Sequence, residues 1–216
     1  MKLDSVASAI YAISRGEMVV VVDDEDRENE GDLVVAADLV TPETIAFMMR
    51  LGRGLICVSV QPELADRLNL PLMVAENSES FATAFTVSID GVQDVTTGIS
   101  ASDRSNTIRQ MLAPSAKPQD FRRPGHGFPL IAHPQGVLGR DGHTEASGEL
   151  AKLAGLTPSG VICEIANDDG SMARLPELMI FAKKHAMPIV SIHDLIEYVR
   201  YDKMPHMGMT PMCIAV

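Results

Sequence analysis

VVVVDDEDRENEGDLVVAA, residues 19–37, consists of two apolar runs separated by a strongly acidic connection. Valine favours β-strands, so the runs predict two strands and the segment between them a connecting loop. The ten residues from Asp23 to Asp32 hold seven carboxylates and a single arginine, Arg27. This loop alone supplies six units of the chain's net charge of −11, and so local an excess of charge needs a physical explanation.

Two explanations of the acidic loop follow from its charge. Two carboxylates about 4 Å apart repel each other by roughly 1 kcal/mol in water, so the loop is either a well-solvated hairpin tip or the binding site of a divalent cation. A helix-flanked calcium loop is excluded. Counted from Asp24, the sixth position is Asn29 and the twelfth is Val35, where that motif needs glycine and glutamate.

The composition of the whole chain limits the class of protein. The chain has 216 residues, of which 46% are hydrophobic, and this suits a single domain with a sizeable core. No apolar run is long enough to span a membrane, and the amino end lacks the apolar core of a signal peptide. An isoelectric point near 4.9 argues against nucleic acid as a partner. Small molecules are therefore the expected partners. The three cysteines lack CxxC spacing, which indicates reduced thiols, so we expect a cytoplasmic protein.

Outward from the acidic hairpin, the sequence predicts a mixture of helices and strands. Helical spacing and capping residues indicate helices at 4–15, 41–52, 102–112, 144–154, 175–185 and 193–200. Apolar runs indicate strands at 18–22, 33–37, 55–60, 82–89, 136–138, 160–166 and 188–192. Four prolines between 114 and 129 predict a long irregular connection.

The order of these elements predicts the fold class. Strands and helices alternate without a strict βαβ repeat, so we expect one α/β (α+β) domain over residues 1–200, with helices on both sides of a mixed sheet. The last residues, 201–216, read YDKMPHMGMTPMCIAV. They form a methionine-rich tail to which the sequence assigns no role.

The segment GRDGHTEAS, residues 139–147, predicts a site for an anion. The turn at Asp141 and Gly142 leads into a helix that begins near His143 and Thr144. Free amides at a helix start, together with the Thr144 hydroxyl and the Arg140 side chain, can bind a phosphate or a carboxylate. The alternative is ordinary helix capping by Thr144 with Arg140 at the surface.

Two further polar residues occur where packing alone does not require them. Glu164 interrupts the apolar strand in VICEIAN, and a partly desolvated carboxylate there could transfer protons. The alternative is a solvent-facing glutamate on an edge strand. His126 lies between glycines in RPGHGFPL, which suits either a side chain presented to a ligand or an ordinary exposed histidine. Together the segments predict metal-assisted chemistry on a small phosphorylated sugar or acid.

Five segments, in this order along the chain, resemble the signatures of the 3,4-dihydroxy-2-butanone 4-phosphate synthases: DDEDRENEGD, DVTTGISASDR, RPGHGFPL, GRDGHTEAS and CEIANDDGSMAR. The resemblance extends from the first helix to about Tyr198 and leaves out the methionine-rich tail. It implies a three-layer α-β-α fold around a mixed sheet, and a homodimer with its sites near the subunit boundary. It also implies a riboflavin-pathway lyase that requires Mg²⁺, for which one imidazole ligand makes Mn²⁺ a plausible substitute.

The resemblance also implies a reaction. Ribulose 5-phosphate would lose a proton at C3 and its C1 hydroxyl as water, undergo a skeletal shift, and release C4 as formate. Two rival functions remain open from the residues alone. One is another metal-dependent phosphosugar isomerase, epimerase or aldolase, and the other is a non-catalytic acidic metal-binding module.

The same resemblance assigns roles to individual residues of this sequence. It places the metal on Glu28 and His143, and catalytic roles on His126 and Glu164. Acidic neighbours such as Asp23, Asp26 and Glu30 would hold metal-bound water or orient the ligands. The substrate would contact Arg27, Glu28, Asp32, Arg140, Gly142, His143, Thr144 and Glu164.

Overall fold

A seven-stranded mixed sheet forms the centre of the molecule, which we describe from a computed structural model of residues 2–202. Its strands are β1 (Val19–Val22), β2 (Gly31–Ala36), β3 (Cys57–Val60), β4 (Ile89–Gly91), β5 (Phe121–Ile131), β6 (Gly160–Glu164) and β7 (Ile189–Ser191). They lie side by side in the order β4-β5-β3-β6-β2-β1-β7. The helices are α1 (Val6–Ser14), α2 (Pro42–Phe47), α3 (Pro62–Arg67), α4 (Ala101–Leu112), α5 (His143–Leu153), α6 (Leu175–Lys184) and α7 (Ile192–Asp202). The part of the predicted tail from residue 203 onward lies outside the described residues.

The register of the central strands gathers several polar segments at one place. β1 and β2 form the predicted antiparallel hairpin, in which Val22 lies opposite Gly31. β2 also pairs antiparallel with β6, so that Asp32 lies opposite Glu164. The end of β1, the start of β2 and the end of β6 therefore meet, and we call this place the acidic end of the sheet.

Apolar side chains cover both faces of the sheet. In β1, Val20 and Val22 pack into one buried cluster, whereas Val19 and Val21 pack into the other. The first cluster includes buried residues of α2, α4 and α6, and the second includes those of α1, α5 and α7. Successive strand side chains point to opposite faces, so a strand covered on both faces is apolar throughout. The predicted single α-β-α domain around a mixed sheet is confirmed.

Capping residues explain where several helices begin. Ser5, Thr41 and Ser100 each accept a hydrogen bond from a first-turn amide of α1, α2 and α4, respectively. Pro42 occupies the first turn of α2, where its missing N–H costs nothing. α2 continues as a π-helical segment, Met48–Gly52, in agreement with the predicted helix at 41–52. No helix within residues 2–202 is long and apolar enough to cross a membrane.

The prediction was wrong for the proline-rich segment, much of which forms β5 and not an irregular connection. The pairing of β5 with β4 shifts its register between Ile89 and Asp90, so residues 123–126 bulge out of the ladder. Pro124 lies in this bulge, where no donor is needed. The carbonyl oxygen of Pro129 accepts the backbone N–H of Thr86, a bond that needs no donor on the proline. Prolines thus occupy positions of the strand that tolerate them.

Two other predicted strands were also wrong. In place of a strand at 82–89, Phe85 and Thr86 form only isolated bridges, and the regular strand β4 begins at the end of that range. The residues at 136–138 form a 3₁₀-helix. Gly136 has a φ of +57°, a left-handed conformation that cannot continue an extended strand.

Candidate active site

A cleft of about 240 Å³ opens at the acidic end of the sheet. Its walls include residues of the acidic loop, the start of β2, the turn before α5 and the end of β6. Gly142 is the N-cap of α5, within the same turn. Seven of the predicted site residues line the cleft: Arg27, Glu28, Asp32, Arg140, His143, Thr144 and Glu164. The fold therefore brings together segments that are far apart in the sequence.

The acidic loop is held in shape by the carboxylate of Asp23, whose side chain is only 1% exposed. Its Oδ2 accepts the backbone N–H of Glu28 at 3.0 Å and an Nη1–H of Arg27 at 2.9 Å. Its Oδ1 accepts the backbone N–H of Glu30 at 2.8 Å. From outside the loop, Arg174 donates to the carbonyl oxygen of Glu28 at 3.0 Å. These bonds fix the backbone on both sides of the Glu28 side chain.

Asp23, Glu28 and His143 form a cluster that could hold a cation, because each offers a ligand atom within 4.8 Å of the others. Nε2 of His143 lies 3.2 Å from the carbonyl oxygen of Val21, which can only accept, so Nε2 carries the hydrogen. In the neutral ring the lone pair is then on Nδ1, which lies 3.5 Å from Oε2 of Glu28. Two carboxylates and one imidazole in this arrangement fit Mg²⁺ or Mn²⁺.

The electrostatics of the cleft favour positive charge at this cluster. A hydrogen bond with His143, reinforced by the charge of Arg27, lowers the pKa of Glu28 to about 2 although partial burial opposes this shift. Burial by itself would lower the pKa of His143, but the surrounding carboxylates, led by Asp32, raise it. Burial raises the pKa of Asp32. Its buried Oδ1 atom has no hydrogen-bond partner among the described residues and lies 4.0 Å from Nε2 of His143.

A second part of the cleft, at the start of α5, is suited to an anion. The N-cap of helix α5 is Gly142, which has no side chain to cap the first-turn amides. Uncapped amides at a helix start can bind an anion. Arg140 donates to Oε2 of Glu145 at 2.7 Å, to Oγ1 of Thr83 at 3.0 Å and to the carbonyl oxygen of Phe81. Thr144 is buried in the first turn. The alternative of capping by Thr144 with Arg140 at the surface is therefore not what the structure shows.

Glu164 ends the central strand β6, which lies between β3 and β2. Its Oε2 accepts the backbone N–H of Leu55 at 2.8 Å, and the carboxylate also lines the cleft. A β-carbon at Gly54 would collide with this carboxylate and with the Glu164 backbone, so glycine is required there. The alternative of a solvent-facing glutamate on an edge strand is thus excluded by the topology.

Comparison with known proteins decides the family. A family model described as 3,4-dihydroxy-2-butanone 4-phosphate synthase matches residues 7–198. Over 207 residues, the chain is 56% identical to the 3,4-dihydroxy-2-butanone 4-phosphate synthase of Agrobacterium fabrum, with 96% of this chain and 97% of that protein covered. The chain belongs to the 3,4-dihydroxy-2-butanone 4-phosphate synthase family. It is accordingly a lyase of riboflavin biosynthesis, as the sequence predicted.

Two further relatives bear on the domain organisation and on the metal. The riboflavin biosynthesis protein RibBA of Aquifex aeolicus is 59% identical over 199 residues, which are 91% of this chain and 49% of that protein. The chain therefore spans about half of that longer relative. A solved 3,4-dihydroxy-2-butanone 4-phosphate synthase in complex with two magnesium ions has a TM-score of 0.89 and 45% identity, with 92% of this chain and 98% of that chain covered.

The position of His126 differs from that of the other predicted residues of this synthase. It lies in the bulge of β5, where its side chain is 43% exposed and its Nδ1 pairs with Oδ2 of Asp90 at 2.9 Å. It is not among the residues that line the cleft. Glu164 thus lines the cleft and His126 does not, and the predicted catalytic pairing of the two residues stays a prediction.

Sequence analysis missed one wall of the synthase cleft, which comes from residues 79–85. Glu79, Thr83 and Phe85 line the cleft, and the ring of Phe81 lies 5.1 Å from the guanidinium of Arg27. The carboxylate of Glu79 accepts the backbone N–H groups of Phe81 and Thr83 at 2.9 and 2.8 Å, which pins the turn. The sequence predicted an apolar strand at 82–89, and no local pattern indicates that this stretch lies beside the acidic loop.

Proposed function

We propose that the chain converts ribulose 5-phosphate into 3,4-dihydroxy-2-butanone 4-phosphate and formate in the cleft at the acidic end of the sheet. The observation that carries this proposal is the meeting of three chemically different parts in one cleft. The cleft has a volume of about 240 Å³. It is lined by a cluster that favours a cation, by a helix start with an arginine, and by a carboxylate at a strand end. A phosphorylated sugar with an acidic C–H bond needs all three.

Glu28 and His143 are the proposed metal ligands, with Asp23 close enough to hold a metal-bound water or to ligate directly. The low pKa of Glu28 supports this assignment, because its carboxylate is ionised near neutral pH. The hydrogen on Nε2 of His143 leaves Nδ1 as the nitrogen that a cation would bind in exchange for a proton. Mg²⁺ is the proposed ion and Mn²⁺ a substitute. When bound, the ion would act as a Lewis acid that makes the C–H next to the sugar carbonyl more acidic.

The phosphate is proposed to bind at the start of α5, where the amides after Gly142 lie beside Arg140 and Thr144. Arg140 is already oriented by Glu145, Thr83 and Phe81, so its guanidinium charge faces the ligand without a large loss of side-chain freedom. The sugar hydroxyl groups are proposed to meet Arg27 and Asp32, which both line the cleft.

Proton transfers are proposed for Glu164 and His126. Glu164 lines the cleft and keeps one oxygen on the backbone of Leu55, so the carboxylate is fixed in orientation while its other oxygen faces the ligand. Several proton transfers occur along the proposed reaction, and a single carboxylate cannot serve each of them. The second group, His126, must then reach the substrate from outside the cleft of its own chain.

A homodimer is the proposed solution to the position of His126. A second copy could present the exposed ring to the cleft of its partner, and this agrees with sites near a subunit boundary. Exposed apolar side chains near β4 and before α4, such as Val92 and Ile99, support an interface on this side of the molecule.

We also propose a cytoplasmic location, which the free thiols of Cys57 and Cys163 support.

A formate assay tests the proposed function against its rivals. The purified chain is incubated with ribulose 5-phosphate and Mg²⁺, and formate and the phosphorylated products are measured together. We expect equal amounts of formate and a four-carbon product, and no turnover after chelation of the metal. Another phosphosugar isomerase, epimerase or aldolase would consume the substrate without formate. A metal-binding module would leave the substrate intact, and either result would contradict the proposal.

A further inference from the structure

Asp90 holds His126 by two hydrogen bonds at once. Oδ1 of Asp90 accepts the backbone N–H of His126 at 2.8 Å, and Oδ2 lies 2.9 Å from the ring Nδ1. Asp90 itself is only 8% exposed, whereas the His126 side chain is 43% exposed. A buried carboxylate therefore anchors one nitrogen of an imidazole whose other side reaches the surface.

The surroundings of Asp90 are shaped to hold its carboxylate in this position. Gly98 has a φ of +94°, and a β-carbon there would collide with the Asp90 carboxylate. In the bulge beside it, the backbone N–H of Gly125 donates to Oγ of Ser88 at 3.1 Å. The bulge thus has two separate anchors, Ser88 for the backbone before the histidine and Asp90 for the histidine itself.

A structural role would require only one oxygen of Asp90. The bond from Oδ1 to the backbone N–H is sufficient to hold the bulge, and it makes no use of the imidazole. The second bond acts on the ring alone. An ionised carboxylate can only accept, so Nδ1 carries the hydrogen and Nε2 keeps the lone pair on the exposed side.

This arrangement gives the ring a defined chemistry. Nε2 can take a proton from the substrate, which turns the ring into an imidazolium that Asp90 stabilises while it remains ionised. The same Nε2 then returns that proton to a later intermediate, so the ring ends as it began and no further reactant is needed. Without the carboxylate, the neutral ring could place its hydrogen on Nε2 and would no longer be a base there.

We propose that Asp90 is a positioning residue of the reaction, which fixes the tautomer and orientation of His126 so that Nε2 faces the substrate as a base. This inference rests on the proposed function, in which His126 transfers protons. Asp90 does not touch the substrate in this account and acts only through the histidine.

Asp90→Asn separates the ring role from the structural role. The amide oxygen can still accept the backbone N–H of His126, but the amide NH₂ would face Nδ1 and favour the tautomer with the hydrogen on Nε2. We expect kcat for formate release to fall by about 10²- to 10⁴-fold, the range for a lost acid–base group, with KM changed less than about threefold. Ser88→Ala is the matched control, because it removes the other anchor of the bulge and should leave kcat near the wild-type value.

Nitrogen-15 NMR of histidine-labelled protein supplies a readout that a merely structural role would not change. In the wild type we expect the His126 signals, assigned by their loss in His126→Gln, to show hydrogen on Nδ1 and a free Nε2. In Asp90→Asn we expect the reverse. This measurement on the wild type remains decisive if the variant does not fold, because a wild-type ring with its hydrogen on Nε2 overturns the inference.

The kinetic outcomes distinguish this inference from the proposed function. If wild type releases formate, His126→Gln is inactive and Asp90→Asn keeps full kcat, the positioning role is wrong and the proposed function stands. A loss of kcat in Asp90→Asn with an unchanged tautomer also overturns the role. If His126→Gln keeps full formate release, the catalytic assignment of His126 fails and the inference fails with it. If the wild type releases no formate, the proposed function itself is wrong.

Discussion

Nδ1 of His143 lies 3.5 Å from Oε2 of Glu28, although the first residue begins helix α5 and the second belongs to the loop between β1 and β2. Two constraints produce this proximity. The bond of Nε2 to the Val21 carbonyl turns the ring, and the bonds of Asp23 to the loop backbone turn the carboxylate. The proposed cation site would account for the acidic sequence between the two strands, because the fold brings His143 from a distant helix to the loop that contains Glu28.

Asp23→Asn should weaken the binding of Mg²⁺ by about ten- to a hundredfold, because the loss of a group that orients the ligands typically costs this much. Both oxygens of Asp23 accept hydrogen bonds from N–H groups of the loop. In the amide, an NH₂ group replaces one of these oxygens and cannot accept, so the loop around Glu28 loses its fixed shape. Calorimetric titration with Mg²⁺ measures the effect. Glu25→Gln is the control, since it removes the same charge from an exposed position of the same loop. Equal losses in both variants would mean that net charge, and not loop geometry, sets the affinity.

Arg140→Ala should lower kcat/KM for ribulose 5-phosphate on the order of ten- to a hundredfold. A hydrogen bond to a charged group contributes roughly 1.5–3 kcal/mol, which corresponds to this range. The same variant should show no further loss with unphosphorylated ribulose, because the contact is then absent in both enzymes. Arg200→Ala removes an exposed arginine of α7 and serves as the control. Unchanged kcat/KM in Arg140→Ala would remove Arg140 from the phosphate site.

Glu164→Gln should lower kcat by about 10²- to 10⁴-fold while Mg²⁺ affinity and stability stay close to those of the wild type. The amide oxygen can still accept the N–H of Leu55, so the strand end keeps its shape and only the basic oxygen is lost. Formate release and calorimetry are measured on the same preparation. Glu197→Gln, at an exposed position of α7, controls for a general effect of charge. Near-normal formate release from Glu164→Gln would leave this carboxylate with a purely structural role.

A shared site in a homodimer predicts that two inactive variants restore each other. If His126 acts in the partner's cleft, then mixing His126→Gln with Glu164→Gln and allowing subunit exchange gives heterodimers with one intact site. Random pairing should recover about a quarter of the wild-type activity per total subunit. Each variant kept alone is the control. No recovery from a mixture in which exchange is demonstrated would place both residues in the cleft of one chain.

The stability of the chain should depend on pH through Asp103 in α4. Hydrogen bonds from Thr96 and Gly98 lower the pKa of Asp103 to about 2, below the value of about 3.9 expected in the unfolded chain. The ionised carboxylate therefore stabilises the fold above about pH 4, and this contribution is lost as the pH falls towards 2. Asp103→Asn should unfold more easily than the wild type at pH 6, and urea titrations should show the difference shrinking between pH 4 and pH 2. A difference that stays constant over this range would contradict the assignment.

The parts of the molecule that sequence predicted well are those set by local patterns. The valine runs around the acidic loop and the Thr41-Pro42 helix start each depend on residues that are neighbours in the chain, and the structure contains these elements. In contrast, β5 was missed because prolines normally exclude a strand, and only its pairing partners show that Pro124 lies in a bulge. The helix α3 was not predicted, although Pro62 at its first position is a recognisable signal.

For the site, sequence predicted the residue types but not their neighbours. The segments with Glu28, Arg140 and Glu164 have unusual local chemistry, and the fold brings them to one cleft. Asp90 bonds to His126, which is 36 residues further along the chain, and Glu79 accepts a backbone N–H within its own turn. No local sequence pattern encodes these contacts. His126 was assigned to the same site, yet its position can be judged only after the sheet is built.

The fate of C4 of the sugar tests the central claim most directly. Ribulose 5-phosphate labelled with carbon-13 at C4 is incubated with the enzyme and Mg²⁺, and the products are followed by NMR. We predict that the label appears entirely in formate, in an amount equal to the unlabelled four-carbon phosphate, and that Glu28→Gln releases none. Label retained in a five-carbon phosphate, or formate that carries no label, would contradict the account of this cleft.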